Sequence, residues 1–117
     1  MITKYDDTKV YVTKDGSLIR ELMHPNVQGN VQQSLAEAIV PVGFTTILHK
    51  HLKSEEIYHI IEGNGIMSLG DRQMEVSARD TIYIPPKTYH QIKNIGSIPL
   101  KILCCCAPAY SHDDTEL

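Results

Sequence analysis

Gly43-Phe44-Thr45-Thr46-Ile47-Leu48-His49-Lys50-His51-Leu52-Lys53-Ser54-Glu55-Glu56-Ile57-Tyr58-His59-Ile60-Ile61-Glu62-Gly63 is the stretch on which the reading of this chain turns. His49 and His51 are separated by a single lysine, and the carboxylates Glu55 and Glu56 follow. In an extended chain successive side chains alternate between faces, so His49 and His51 project together. The same parity puts Tyr58 and Ile60 on the face of Glu56 and turns His59 to the opposite side, as a surface or interface residue. His90 lies far downstream, behind Pro85 and Pro86. Whether it joins the pair depends on the fold.

Working outward, the chain reads as short strands separated by turns. Phe44 to His51 and Glu56 to Ile61 are expected strands, joined by the polar Leu52-Lys53-Ser54-Glu55. Further strands follow at Ile66–Leu69, Gln73–Val76, Thr81–Ile84, His90–Lys93 and Leu100–Cys106. Glycine, asparagine, aspartate or proline punctuates most of the joins. Upstream, Lys9 to Val12 and Ser17 to Met23 read as strands around an Asp15-Gly16 turn, and Asn26 to Asn30 as a loop. Val31 to Val40 has helix formers in Leu35, Ala36 and Glu37. It also alternates Ser34, Ala36 and Ala38 with Leu35, Glu37 and Ile39, and its strand-rich surroundings favour β. Evenly spaced short strands with no βαβ spacing predict an all-β sandwich or barrel.

With 117 residues, 42% of them hydrophobic, the chain suits one domain with its own core. A formal charge of −3 with dispersed lysines and arginines offers no footprint for nucleic acid. No apolar run approaches the ~18 residues of a membrane span. Met1 to Asp7 lacks the apolar core of a secretory signal, so a cytoplasmic location is expected. Cys104, Cys105 and Cys106 are consecutive and cannot form a disulfide framework; they read as reduced core residues, with Cys104 and Cys106 inward. His24 reads as a loop histidine and His112 as a tail residue. The acidic tail from Ser111 is either mobile or docked through Ala107-Pro108-Ala109-Tyr110, with Tyr110 as anchor.

The opening stretch resembles the first motif of the cupin superfamily: glycine, five residues, His-x-His, three or four residues, glutamate, six residues, glycine. Gly43, His49, His51, Glu56 and Gly63 occupy those positions, which selects Glu56 over Glu55. Pro85, His90 and Asn94 match the second motif, where Arg79 and Lys87 stand at positions the family fills with glycine. Those glycines serve turns, so Lys87 needs a positive φ if the family turn is kept.

The resemblance implies an all-β double-stranded β-helix jelly-roll barrel, with residues 1–117 as one cupin domain. It implies that His49, His51, Glu56 and His90 converge on one divalent transition metal ion: Fe, Mn, Ni or Zn. The donor chemistry agrees, since imidazoles suit Fe, Ni and Zn and a carboxylate adds a hard anionic ligand. The activities it implies are those of an oxygenase, or of a Lewis-acid isomerase or lyase on a sugar or oxo-acid, the sugar-phosphate isomerases included. A non-catalytic binding or sensing module is the alternative. Tyr58 is the candidate catalytic residue, with Glu37 the other candidate for the base; Gln33 and Glu37 are also candidates for a place in the cavity or at a dimer contact. A small-molecule ligand, no nucleic acid or membrane, and a homodimer through the strands of residues 1–25 complete the expectation.

Overall fold

A computed structural model describes residues 1–117. After a single 3-10 turn (Tyr5–Asp7) come β1 (Val10–Val12), β2 (Leu18–Met23), a one-turn helix α1 (Pro25–Gln28) and β3 (Ser34–Val40). Then follow β4 (Lys50–His51), β5 (Glu55–Glu62), β6 (Asn64–Leu69), β7 (Arg72–Ser77) and β8 (Thr81–Ile84). β9 (His90–Asn94), β10 (Leu100–Ala107) and β11 (Thr115–Glu116) complete the chain. Every pairing is antiparallel: a six-stranded sheet in the order β1-β2-β3-β10-β5-β8, a three-stranded sheet β7-β6-β9, and the small pair β11-β4. This is the expected all-β jelly roll. No helix is long and apolar enough to cross a membrane.

The register of the large sheet stacks its inward side chains in layers. Ser34, Cys106, Glu56 and Ile84 are successive partners across β3, β10, β5 and β8. The next layer is Ala36, Cys104, Tyr58 and Ile82, with Glu21 of β2 opposite Ala36. Below it come Ile19, Ala38, Ile102 and Ile60, and then Val40 and Leu100. One end of the barrel interior is therefore polar and the other is filled by Val40, Ile60, Met67, Ile92, Leu100 and Ile102, each at most 1% exposed. The small side chains of β3 leave space at the polar end. Asn94 closes the apolar end: its Nδ2 donates to Val40 O and Ile98 O, and its Oδ1 accepts from Gly96 N.

Three expectations are corrected. Phe44 to His51 is not a continuous strand. Only Lys50–His51 is regular, and the rest touches β9 through single bridges at Thr45–Lys93 and His49–His90. Its donors are divided among neighbours, since Thr46 N reaches Ile92 O and Ile47 N reaches Asp15 O. The expected loop Asn26 to Asn30 instead begins in α1, capped by the His24 ring accepting from Asn26 N and ended by Gly29 in the left-handed conformation. His24 is buried within its own chain, its Nε2 2.7 Å from Tyr110 O.

The turn at Lys87 adopts the backbone that the resemblance implied, and the turn at Arg79 adopts the same. Arg79 (φ 79°) and Lys87 (φ 64°) both hold the left-handed conformation that glycine ordinarily takes. Gly63 shows why glycine is kept elsewhere: at φ +95°, an added Cβ would lie 3.0 Å from Leu100 Cα.

The tail docks. After β10 the chain folds back, and Thr115 and Glu116 pair with His51 and Lys50. The Asp114 carboxylate accepts from Lys53 N (2.9 Å) and Ser54 N (3.0 Å), and Lys14 Nζ donates to His112 O and Thr115 O.

Candidate metal centre

Four elements deliver the histidines and the carboxylate to the polar end. His49 sits at its bridge to β9, His51 on β4, His90 at the start of β9, and Glu56 near the start of β5. Each is at most 5% exposed. One nitrogen from each of His49, His51 and His90 lies within 4.8 Å of the others, a group able to hold a metal ion. The Oε1 of Glu56 is 3.1 Å from His51 Nε2 and 3.6 Å from His90 Nε2.

The outer nitrogen of each ring is committed. His49 Nδ1 is 2.8 Å from Ile47 O and His90 Nδ1 is 2.9 Å from Thr88 O. A carbonyl only accepts, so in both rings Nδ1 carries the proton. His51 Nδ1 is 3.1 Å from Thr115 Oγ1, whose own hydroxyl donates to Ser111 O at 2.9 Å, leaving its lone pairs to accept from the ring. The Nε2 atoms thus turn toward one another and toward Glu56. His90 Nε2 is buried with no hydrogen-bond partner, a costly arrangement unless a cation sits in front of it. The donor set fits a borderline transition ion.

Electrostatics prepares the same atoms. Burial and the neighbouring His90 lower the pKa of His49, keeping its ring neutral. Burial alone would raise the Glu56 carboxyl, but the imidazoles of His51 and His90 draw it down to about 2, so it is an anion at neutral pH. Its second oxygen, Oε2, accepts from the Cys106 thiol at 3.3 Å. Burial, reinforced by Glu56, raises the Cys106 and Cys104 pKa values, so both stay thiols.

Around this group lies a cavity of about 40 Å³, lined by Asp15, Glu21, Tyr58 and Tyr110 as well as by the inward residues of β3 and β10. Water needs roughly 10–15 Å³ on this measure, so the space suits a few atoms beyond the centre. Tyr58, six ångströms from His90 (ring centroids 6.1 Å apart), is kept protonated by burial.

Several residues differ from the sequence reading. Glu37 faces the outer side of β3, where it accepts the Tyr5 hydroxyl at 2.6 Å, so it is no candidate base for the cavity. Gln33 likewise reaches outward, to Cys105. His59 lies outside, bonded to Thr81, as parity required. Asp15, Glu21 and Thr115 were not anticipated, and of the two inward cysteines it is Cys106 that contacts Glu56. Asp15 had read only as half of a turn, yet the alternation Thr13, Asp15, Ser17 was a usable signal: all three polar side chains point to one side and bond one another.

A jelly-roll barrel enclosing a three-histidine cluster at one end defines the class. The chain belongs to the cupin family, whose domain model matches residues 36–106. The uncharacterized protein MJ1618 of Methanocaldococcus jannaschii is 65% identical to it, over 98% of this chain and 92% of that protein. An oxalate-binding protein of Thermotoga maritima is 30% identical over 74% of this chain and 67% of its own length. A Streptomyces Pac13 structure with uridine superposes with a TM-score of 0.81 at 17% identity, covering 99% of this chain and 88% of that one, and so shares the fold.

Proposed function

We propose that this protein is a metal-dependent cupin enzyme acting on a small organic molecule, with His49, His51, Glu56 and His90 holding one divalent transition ion. The observation that carries this is the fixed ring orientation: outer nitrogens tied to Ile47 O, Thr88 O and Thr115 Oγ1, inner nitrogens facing one another beside a carboxylate. Bound there, such an ion would supply a Lewis acid that polarises a carbonyl or hydroxyl oxygen. The chain's own residues do the rest. Tyr58 donates a hydrogen bond to a substrate oxygen, Tyr110 walls the cavity beside the His51 ring, and the apolar layers beneath exclude water. Isomerisation or elimination fits this wall better than oxygenation, because polar groups rather than a purely apolar surface face the centre.

The test is elemental analysis of protein purified without added metal, beside His51→Ala. About one ion per chain, lost in the variant, is expected; unchanged content in His51→Ala overturns the ligand assignment. Iron together with oxygen uptake would instead select an oxygenase. A binding module is the second reading, favoured by the oxalate-binding relative; it predicts ligand capture with no turnover.

Residues 1–117 are proposed to act as one cupin domain, paired with a second copy through the N-terminal strands. In support, β1 is a sheet edge and its Val10 and Val12 are 48% and 63% exposed. Sedimentation at micromolar concentration that gives a monomer would refute the pairing. The free thiols suit a reducing compartment, and the cytoplasm is the proposed location.

A further inference from the structure

The cavity wall opposite Glu56 carries negative charge with no cation to answer it. Asp15 is 8% exposed, and its Oδ1 accepts from Thr13 Oγ1, Ser17 N and Ser17 Oγ. Its Oδ2 is left facing the centre, 3.8 Å from His49 Nε2. Glu21 repeats the pattern one layer away: Oε1 accepts the Tyr11 hydroxyl at 2.7 Å, and Oε2 is buried without a partner. Neither lysine nor arginine lines the cavity. Three carboxylates thus surround a space that a divalent ion would only partly neutralise.

We infer that this cavity takes an uncharged, hydroxyl-bearing molecule such as a small sugar or hydroxyketone, and that Asp15 and Glu21 select it by accepting its hydroxyl donors and repelling dicarboxylates. The inference rests on the metal reading above and separates this chain from what its oxalate-binding relative is named for. A free carboxylate oxygen in a dry wall gains from a donor and loses from an anion. A substrate hydroxyl satisfies Asp15 Oδ2, with the Glu21 carboxylate adding its charge behind the wall, while oxalate would bring like charge against both.

The experiment loads the wild-type chain and the Asp15→Asn/Glu21→Gln double variant with cobalt(II) and titrates each with dihydroxyacetone and with oxalate at pH 7.5, following the visible absorption of the ion. Cobalt stoichiometry is measured first and is expected to be equal in both proteins. Oxalate is expected to bind about tenfold tighter in the double variant, and dihydroxyacetone several-fold weaker. Unchanged oxalate affinity, or dihydroxyacetone affinity that does not fall, overturns the inference while leaving the metal reading intact. Cobalt lost from the double variant also overturns it, because Asp15 or Glu21 would then be a ligand. A wild-type chain that takes up no cobalt overturns the metal reading and the inference with it. Asp15→Asn alone guards against misfolding, since the amide oxygen can accept the bonds from Thr13 and Ser17; it is expected to shift oxalate in the same direction.

Discussion

Replacing Thr115 by valine removes one oxygen from the far end of the chain and should be felt mainly by bound metal. Valine keeps the β-branched shape, and the backbone pairing of Thr115 with His51 is untouched. What is lost is the acceptor that fixes the proton on His51 Nδ1, together with the hydroxyl's own bond to Ser111 O. In the metal-free chain the ring can move that proton to Nε2 and donate it to Glu56, 3.1 Å away, so the metal-free chain loses only the Ser111 bond, about 1 kcal/mol. With Nε2 occupied by a metal, Nδ1–H has no such escape in a site 4% exposed. An unpaired buried donor costs about 1–3 kcal/mol, and loss of a partner to a ligating imidazole weakens metal binding by about 10–100-fold. The two ranges agree, since each factor of ten is about 1.4 kcal/mol. Competition against a chelator measures the affinity, thermal melting the metal-free stability, and nitrogen NMR of the imidazole the tautomer. Thr115→Ser, which keeps the hydroxyl, should restore binding. Unchanged affinity in Thr115→Val, or a loss matched by an equal fall in metal-free stability, would refute the reasoning.

Other outcomes follow from the same geometry. Arg79→Gly and Lys87→Gly should each raise stability by about 0.5–1 kcal/mol, read as a higher melting temperature, because a non-glycine residue in the left-handed region costs about 1–2 kcal/mol and glycine's extra unfolded freedom returns part of it. A fall in both variants would show that the side chains hold their turns by other means. Ala36→Leu adds an isopropyl group to the 40 Å³ cavity, so small-molecule binding should weaken by about tenfold or more while metal content stays unchanged. Acid should destabilise the metal-free protein in two stages. His49 is held below its ordinary 6.5 by burial, so the unfolded chain takes the proton first and stability declines from about pH 6.5 downward. Glu56 contributes stability that is complete above 4.5 and is lost as pH falls toward 2, a displacement worth about 3 kcal/mol. A melting temperature flat from pH 7 to 3 contradicts both.

The parts of the site legible in the sequence are those set by local spacing. Strand parity put His49 and His51 together, and motif spacing chose Glu56 over its neighbour and brought His90 into position. Parity likewise sent His59 outward and turned Cys104 and Cys106 in, as the register of β10 against β3 shows. What escaped came from long-range docking. Asp15 reaches the centre only because Ile47 N ties its turn to the stretch before His49, and Thr115 only because β11 folds back onto β4. No periodicity encodes either event. The irregular run before His49 escaped for a related reason: its β-prone residues spend their donors on three different neighbours, so propensity for a strand did not become a ladder.

The strap from Ser111 to Glu116 shares its bonds with the centre. Leu52 N donates to Asp114 O at 2.9 Å, the Asp114 carboxylate holds the connection leading to Glu56, and Thr115 holds His51. Opening of the strap and emptying of the centre are therefore linked equilibria, and whatever occupies the centre must slow the opening by its own binding factor. Deuterium uptake at the Asp114 and Thr115 amides, far from the motifs in sequence, would thus serve as an occupancy gauge. It would report what the buried imidazoles hold without any assay of turnover.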